Sequence, residues 1–301
     1  MSKIVEFQGQ QVHVIQNGAA TAWIAPEHGG RLLRWSAGDQ ELIRWPEDAD
    51  WSKINKVRGG NPLLFPFIAR HMVDGKLGFW KDGDTVREMP MHGFARDLPF
   101  HVINHTNTGI LMRLEDNETT RQYYPFSFYF DVKIDLEPDN ILRVAFRTTN
   151  RSDRPMPYYP GHHFYFNVPK ADRSHWKIEI PCSQVAHQNP DGSITFNSMA
   201  MIHSNFGDSD LIDRFHILES NRAVRFHHDA GTPRFRIRLD HPESIPWGVL
   251  TTWTQAEDSD FYCVEPWVGL PNAIHHQHGL RLLAPGVTEE AICKIEAELS
   301  L

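Results

Sequence analysis

Along much of the chain, apolar residues recur at every second position rather than every third or fourth. The clearest run sets Phe126, Phe128, Phe130, Val132, Ile134 and Leu136 against Ser127, Tyr129, Asp131, Lys133 and Asp135. Successive side chains of an extended strand point to opposite faces, so this run predicts a half-buried strand with one apolar face. Glu137-Pro138-Asp139-Asn140 then reads as a turn, because proline presets φ while Asp and Asn tolerate turn geometry. Leu142, Val144 and Phe146 resume the alternation, and the two runs predict an antiparallel hairpin. Further strands are expected at residues 11–15, 21–25, 176–180, 235–239, 247–254, 261–265 and 291–297, with turns at Asn17-Gly18, Asp191-Gly192 and Pro285-Gly286. Helical stretches are few and short, at residues 51–56 and 115–122.

Many strands with few helices predict an all-β fold, a β-sandwich of many antiparallel strands. With 301 residues, 41% of them hydrophobic, the chain is long enough to bury a large core. No low-complexity linker, charge block or repeat marks a boundary, so residues 1–301 are read as a single domain.

Charge narrows the partners. Acidic residues number 38 against 30 Lys plus Arg, and no basic run of the kind that tracks a phosphate backbone occurs, so neither nucleic acid nor an acidic membrane surface is expected as a partner. Cys182, Cys263 and Cys293 are odd in number, widely spaced and without a CxxC pair, which argues against a disulfide framework or a cysteine zinc site. The first residues lack the apolar core of a signal peptide, and no apolar stretch is long enough to span a bilayer. A cytoplasmic location is expected. The 18 histidines and nine tryptophans stand out, since both residue types commonly line sugar sites as well as ordinary cores.

Five segments mix polar groups with aromatics and glycines. Asn61-Pro62 leads through an apolar run to Arg70, which taken alone reads as an edge-strand surface ion pair. His92 precedes Gly93, which permits close backbone approach and a sharply aimed imidazole. His162 and His163 point to opposite faces if the segment is a strand, so they cannot share one role; the residues alone do not say which lines a site. Asp213 reads as a turn cap or a ligand to a sugar hydroxyl. Glu265 ends an apolar strand before Pro266, and a carboxylate in such surroundings must be hydrogen-bonded, paired or raised in pKa. That leaves a general base and a structural ion pair as its two readings.

Taken together and in order, these segments resemble the aldose 1-epimerase (galactose mutarotase-like) family. Asn61-Pro62 to Arg70 is similar to its early arginine segment, and His92-Gly93-Phe94 to its first histidine motif. Tyr124-Pro125-Phe126 enters the long alternating strand as the family's YPF does, and His163-Phe164-Tyr165-Phe166-Asn167 resembles its H-x-Y-F-N motif. Asp213 falls where the family carries a substrate-binding aspartate, with Asp210 as a competing carboxylate three residues away. Glu265-Pro266-Trp267 resembles the catalytic glutamate motif, and Leu283-Ala284-Pro285-Gly286 a closing L-x-P-G turn. Phe164 departs from the pattern, standing where smaller residues are common in the family.

The resemblance implies a twisted β-sandwich with its site in a concave cleft. It implies His163 as general acid, Glu265 as general base, and Arg70, His92 and Asp213 as substrate ligands, with His162 structural. The activity implied is aldose 1-epimerase (mutarotase) chemistry on a small-molecule sugar, needing no cofactor and no metal. The base takes the C1 hydroxyl proton, the acid protonates the ring oxygen, the ring opens, C1 rotates, and closure occurs on the other face. Rival readings are a hexose-6-phosphate mutarotase, with Arg70 and Arg96 as candidate phosphate ligands, and a non-catalytic sugar-binding protein on the same fold. A metal enzyme using His275, His276 and His278 is a third, and that run lacks a matched carboxylate at a recognisable spacing.

Overall fold

The computed structural model describes residues 3–219 and 223–299. Two large antiparallel sheets face one another. The first has 13 strands among the described residues and runs from the N-terminal strands Lys3–Phe7, Gln10–Asn17, Ala20–Ala25, Arg31–Ala37 and Gln40–Ile43 to Phe164–Asn167, Phe261–Trp267, Val249–Trp253, Arg214–Leu218, Cys182–Gln188 and Ile194–Ser198. Two short strands, Gly161–His162 and Leu63–Leu64, attach beside Phe261–Trp267. The second sheet has nine strands among the described residues, with Phe128–Glu137, Ile141–Asn150 and Thr288–Glu298 at its centre.

The alternation read from sequence lies where expected. Phe128, Phe130, Val132, Ile134 and Leu136 are buried, and their strand pairs with Ile141–Asn150 over its whole length. Asp139 and Asn140, both at positive φ, make the reversal. This apolar face meets the inner face of the first sheet, where Phe65 stacks on Phe130 with ring centroids 4.2 Å apart. Further along, Phe166 of the first sheet packs against Phe226 and Phe235 of the second at 4.8 and 5.2 Å.

The two helical expectations are met with shifted geometry. Trp51–Lys56 is a kinked 3₁₀ segment capped by Asp50, and Glu118–Tyr123 is an α-helix started by an Asn117–Thr120 capping box. Among the described residues no helix is long and apolar enough to cross a membrane.

Candidate active site

The Phe261–Trp267 strand divides its side chains between two environments. Tyr262 and Val264 enter the core between the sheets, while Cys263 and Phe261 join Tyr165 in a separate small cluster covered by Trp253. Cross-strand partners in an antiparallel sheet share a face. Tyr165 and Trp253 are both in register with Cys263, and Thr251 with Glu265, so these side chains form a patch on the face away from the second sheet. Glu265 lies in that patch, 1% exposed.

His163 follows the two-residue strand Gly161–His162 and lies over Tyr165 with the rings parallel and 4.7 Å apart. Its Nδ1 is 3.4 Å from Oε1 of Glu265. His162 turns the other way into the core, between Phe146, Phe164 and Trp247. Asn61 holds both. Its side-chain oxygen accepts the His163 backbone N–H at 2.9 Å, and its amide nitrogen bonds His162 Nδ1 at 3.1 Å.

His92 arrives from a loop. Its Nδ1 accepts the Ala69 N–H at 3.1 Å, and its own N–H donates to the Ala69 carbonyl at 2.8 Å. An accepting Nδ1 fixes the neutral tautomer, so the ring proton is on Nε2. The His92 and His163 rings meet edge to face at 5.4 Å. Gly93 is required here, since a β-carbon on it would collide with the Phe65 carbonyl. Arg70 and Asp213 are at the rim, their charged groups 3.4 Å apart and both side chains half exposed. Asp210 instead reaches toward Arg214, with an exposed carboxylate. Ala69, His92 and Asp213 all have φ between 55° and 68°, a left-handed backbone that costs non-glycine residues energy and concentrates at functional sites.

Burial pushes the Glu265 carboxyl well above its usual range, reinforced by the nearby Asp213 charge. Burial also holds His163 well below its ordinary value, and the guanidiniums of Arg96, Arg58 and Arg31 press it the same way. The acid role that the resemblance implies for His163 calls for a protonated imidazole, whereas burial favours the neutral forms of both groups in the free site.

Sequence reasoning missed Arg31 and Arg58, and named Arg96 only as a candidate phosphate ligand. Arg31 is 1% exposed and reaches only the Val57 carbonyl, at 3.4 Å, leaving Nε and Nη2 without partners. Arg96 donates Nη2 to the Met91 carbonyl at 2.8 Å while its Nε has none. Arg58 lies 5.3 Å over Trp253, whose edge meets His163. Nothing periodic marks these arginines, because they come from a strand, a loop and a 3₁₀ turn that meet only in space. The histidine run proposed as a rival metal site is engaged locally: both nitrogens of His276 bond backbone groups, Nε2 to the Pro271 carbonyl and Nδ1 to the His278 N–H.

A profile of the family described as Aldose 1-epimerase matches residues 11–296. The chain belongs to that family. Aldose 1-epimerases are isomerases that interconvert sugar anomers, and the twisted two-sheet architecture is theirs. The LacX protein (chromosomal) of Lactococcus lactis subsp. lactis is 24% identical over 270 residues, spanning 82% of this chain and 84% of its own. Among solved structures, the Slr1438 protein of Synechocystis sp. PCC 6803 superposes with a TM-score of 0.83 at 22% identity, covering 98% of both chains. A galactose mutarotase related enzyme of Lactobacillus acidophilus gives 0.79 at 23% identity, covering 96% of this chain and 100% of its own.

Proposed function

We propose that His163 and Glu265 are the acid and base of an anomer interconversion, and that Arg70, His92 and Asp213 hold the sugar. The observation that carries this is the 3.4 Å approach of His163 Nδ1 to Glu265 Oε1 in a patch shielded from water. Ring opening needs one proton taken from the C1 hydroxyl and one given to the ring oxygen, and closure reverses both. A buried pair that shares one proton can do each in turn. His92, fixed with its proton on Nε2, donates to a sugar oxygen, and the rim carboxylate of Asp213 accepts from hydroxyls. The chain acts in this reading as one domain, supported by a core cluster that runs from Ile15 to Ala297. Three unpaired cysteines support a cytoplasmic location.

A second observation favours a phosphorylated sugar. Buried guanidiniums are costly unless paired, and Arg31 and Arg96, whose charges reach His163, keep unpartnered N–H groups. The phosphorus of a 6-phosphate is three bonds from C5, the carbon bonded to the ring oxygen that His163 would protonate. Bound there, the phosphate would accept those N–H groups and cancel the arginine charge that adds to burial in lowering the His163 pKa.

Anomer-exchange NMR on glucose and glucose 6-phosphate tests both statements. The phosphate reading expects Arg96→Gln to lower kcat/KM on the phosphate by about 10- to 100-fold while sparing the free sugar. An equal effect on both would assign Arg96 to ring binding or structure. Sugar binding with no exchange above the spontaneous rate would leave only the binding-protein reading.

A further inference from the structure

We propose that His163, Cys263 and Glu265 form an inhibitory site for a thiophilic divalent cation, with Zn²⁺ as the fitting ion. This rests on the reading of His163 and Glu265 as the catalytic pair. Among the described residues, these three supply an imidazole nitrogen, a sulfur and a carboxylate oxygen, all within 4.8 Å of one another and all buried. Two further facts single the group out. His163 Nδ1 and Glu265 Oε2 have no hydrogen-bond partner although each is shut off from solvent. Cys263 and Glu265 are two residues apart on one strand, so both side chains leave the same face toward His163.

The spacing suits a tetrahedral ion. Zinc bonds of about 2.0–2.3 Å to nitrogen, oxygen and sulfur give ligand separations of about 3.3–3.8 Å. The 3.4 Å between His163 Nδ1 and Glu265 Oε1 already matches one such edge. Drawing in the Cys263 sulfur takes a side-chain adjustment of about an ångström from the outer limit of 4.8 Å. The mixed nitrogen, sulfur and oxygen set selects zinc-like ions over magnesium or calcium, which require oxygen ligands. A solvent molecule completes the fourth position. An ion so held occupies both proton-transfer groups at once, and the sugar and the ion exclude each other.

Full-length protein would be assayed by anomer-exchange NMR with added ZnCl₂ or MgCl₂, and Co²⁺ binding followed by its thiolate charge-transfer absorption. Zinc is expected to inhibit competitively with sugar and reversibly on adding EDTA, with magnesium inert. Cys263→Ala, or Cys263→Val if the alanine variant folds poorly, should keep its basal rate. It should lose the cobalt–thiolate band and need at least about tenfold more zinc for half inhibition. Unchanged zinc sensitivity in both variants, or no Cys263-dependent band, would overturn the proposal while leaving a Glu265-dependent exchange intact. A Cys263-dependent band without inhibition would overturn the inhibitory role together with the catalytic pair, leaving only metal binding at these residues.

Discussion

His162 and His163 are neighbours in the chain and face opposite sides of one sheet. His162 is enclosed by Phe146, Phe164 and Trp247, and burial alone presses its pKa to about 3. His163 stacks on Tyr165, approaches Glu265 and lies in the field of three arginines. Burial is the main cause that lowers the pKa of both rings, and His163 alone adds a second one, the charge of three arginines. Burial is permanent, whereas that added field would be offset by an anion bound to Arg31, Arg58 and Arg96. The imidazole proposed as catalytic is set apart by the reversible part of what shifts it, since burial is common to both.

The sharpest way to break this contrast is on the open face. Glu265→Gln keeps the shape and replaces a carboxyl that burial already drives toward its neutral form. Exchange should fall by about 100- to 10,000-fold, with the urea unfolding midpoint little changed. An unaltered NMR exchange rate would remove Glu265 from the chemistry.

On the core face the expected balance is inverted. His162→Phe retains the aromatic packing and leaves the Asn61 amide without its partner, so stability should drop by about 1–3 kcal/mol. Exchange per folded molecule should remain within a few-fold of the parent. His163→Gln should do the opposite, losing exchange while denaturing near the parent midpoint. If His162→Phe abolished exchange at full stability, the assignment of the two faces would be wrong.

The smallest effect concerns pH. His71, His162 and His216 are each pressed to about 3 from an ordinary 6.5, so the unfolded chain binds protons that the folded chain does not. Their contribution to stability is complete above pH 6.5 and is lost progressively as pH falls toward 3. Glu265 has the opposite sign: its raised pKa gives a contribution present at low pH and lost as pH rises through the folded value. Urea midpoints between pH 7 and 5 should therefore fall with acidification, and His162→Phe should flatten the slope by at most about 1.4 kcal/mol per pH unit. An unchanged slope would show His162 to be protonated in the folded protein.

Much of the architecture was legible because alternation reports burial directly. The Phe128–Glu137 hairpin follows from side-chain parity and a turn of Pro, Asp and Asn. Strands such as Arg31–Ala37 and Arg214–Leu218 were not read, because Arg31 and His216 put polar groups at buried positions. Of the site, Arg70, His92, His163, Asp213 and Glu265 were named from ordered motifs, and the fold gathers them into one region with Arg70 and Asp213 at its edge. Asn61 was quoted as part of a motif, yet its bonds to two consecutive histidines span 101 and 102 residues. No local pattern encodes such a bond.

Sequence by itself determined the strand periodicity, the hairpin turns, the need for glycine beside His92, and the chemical types present at each motif. These depend on φ preferences and side-chain parity, which act over a few residues. Tertiary structure decided which atoms meet. It brought Cys263 beside His163 and Glu265, turned His162 inward and His163 outward, and put one imidazole in the field of Arg31, Arg58 and Arg96. Electrostatic and hydrogen-bonding interactions depend on distance in space, and sheet registry between distant strands sets that distance.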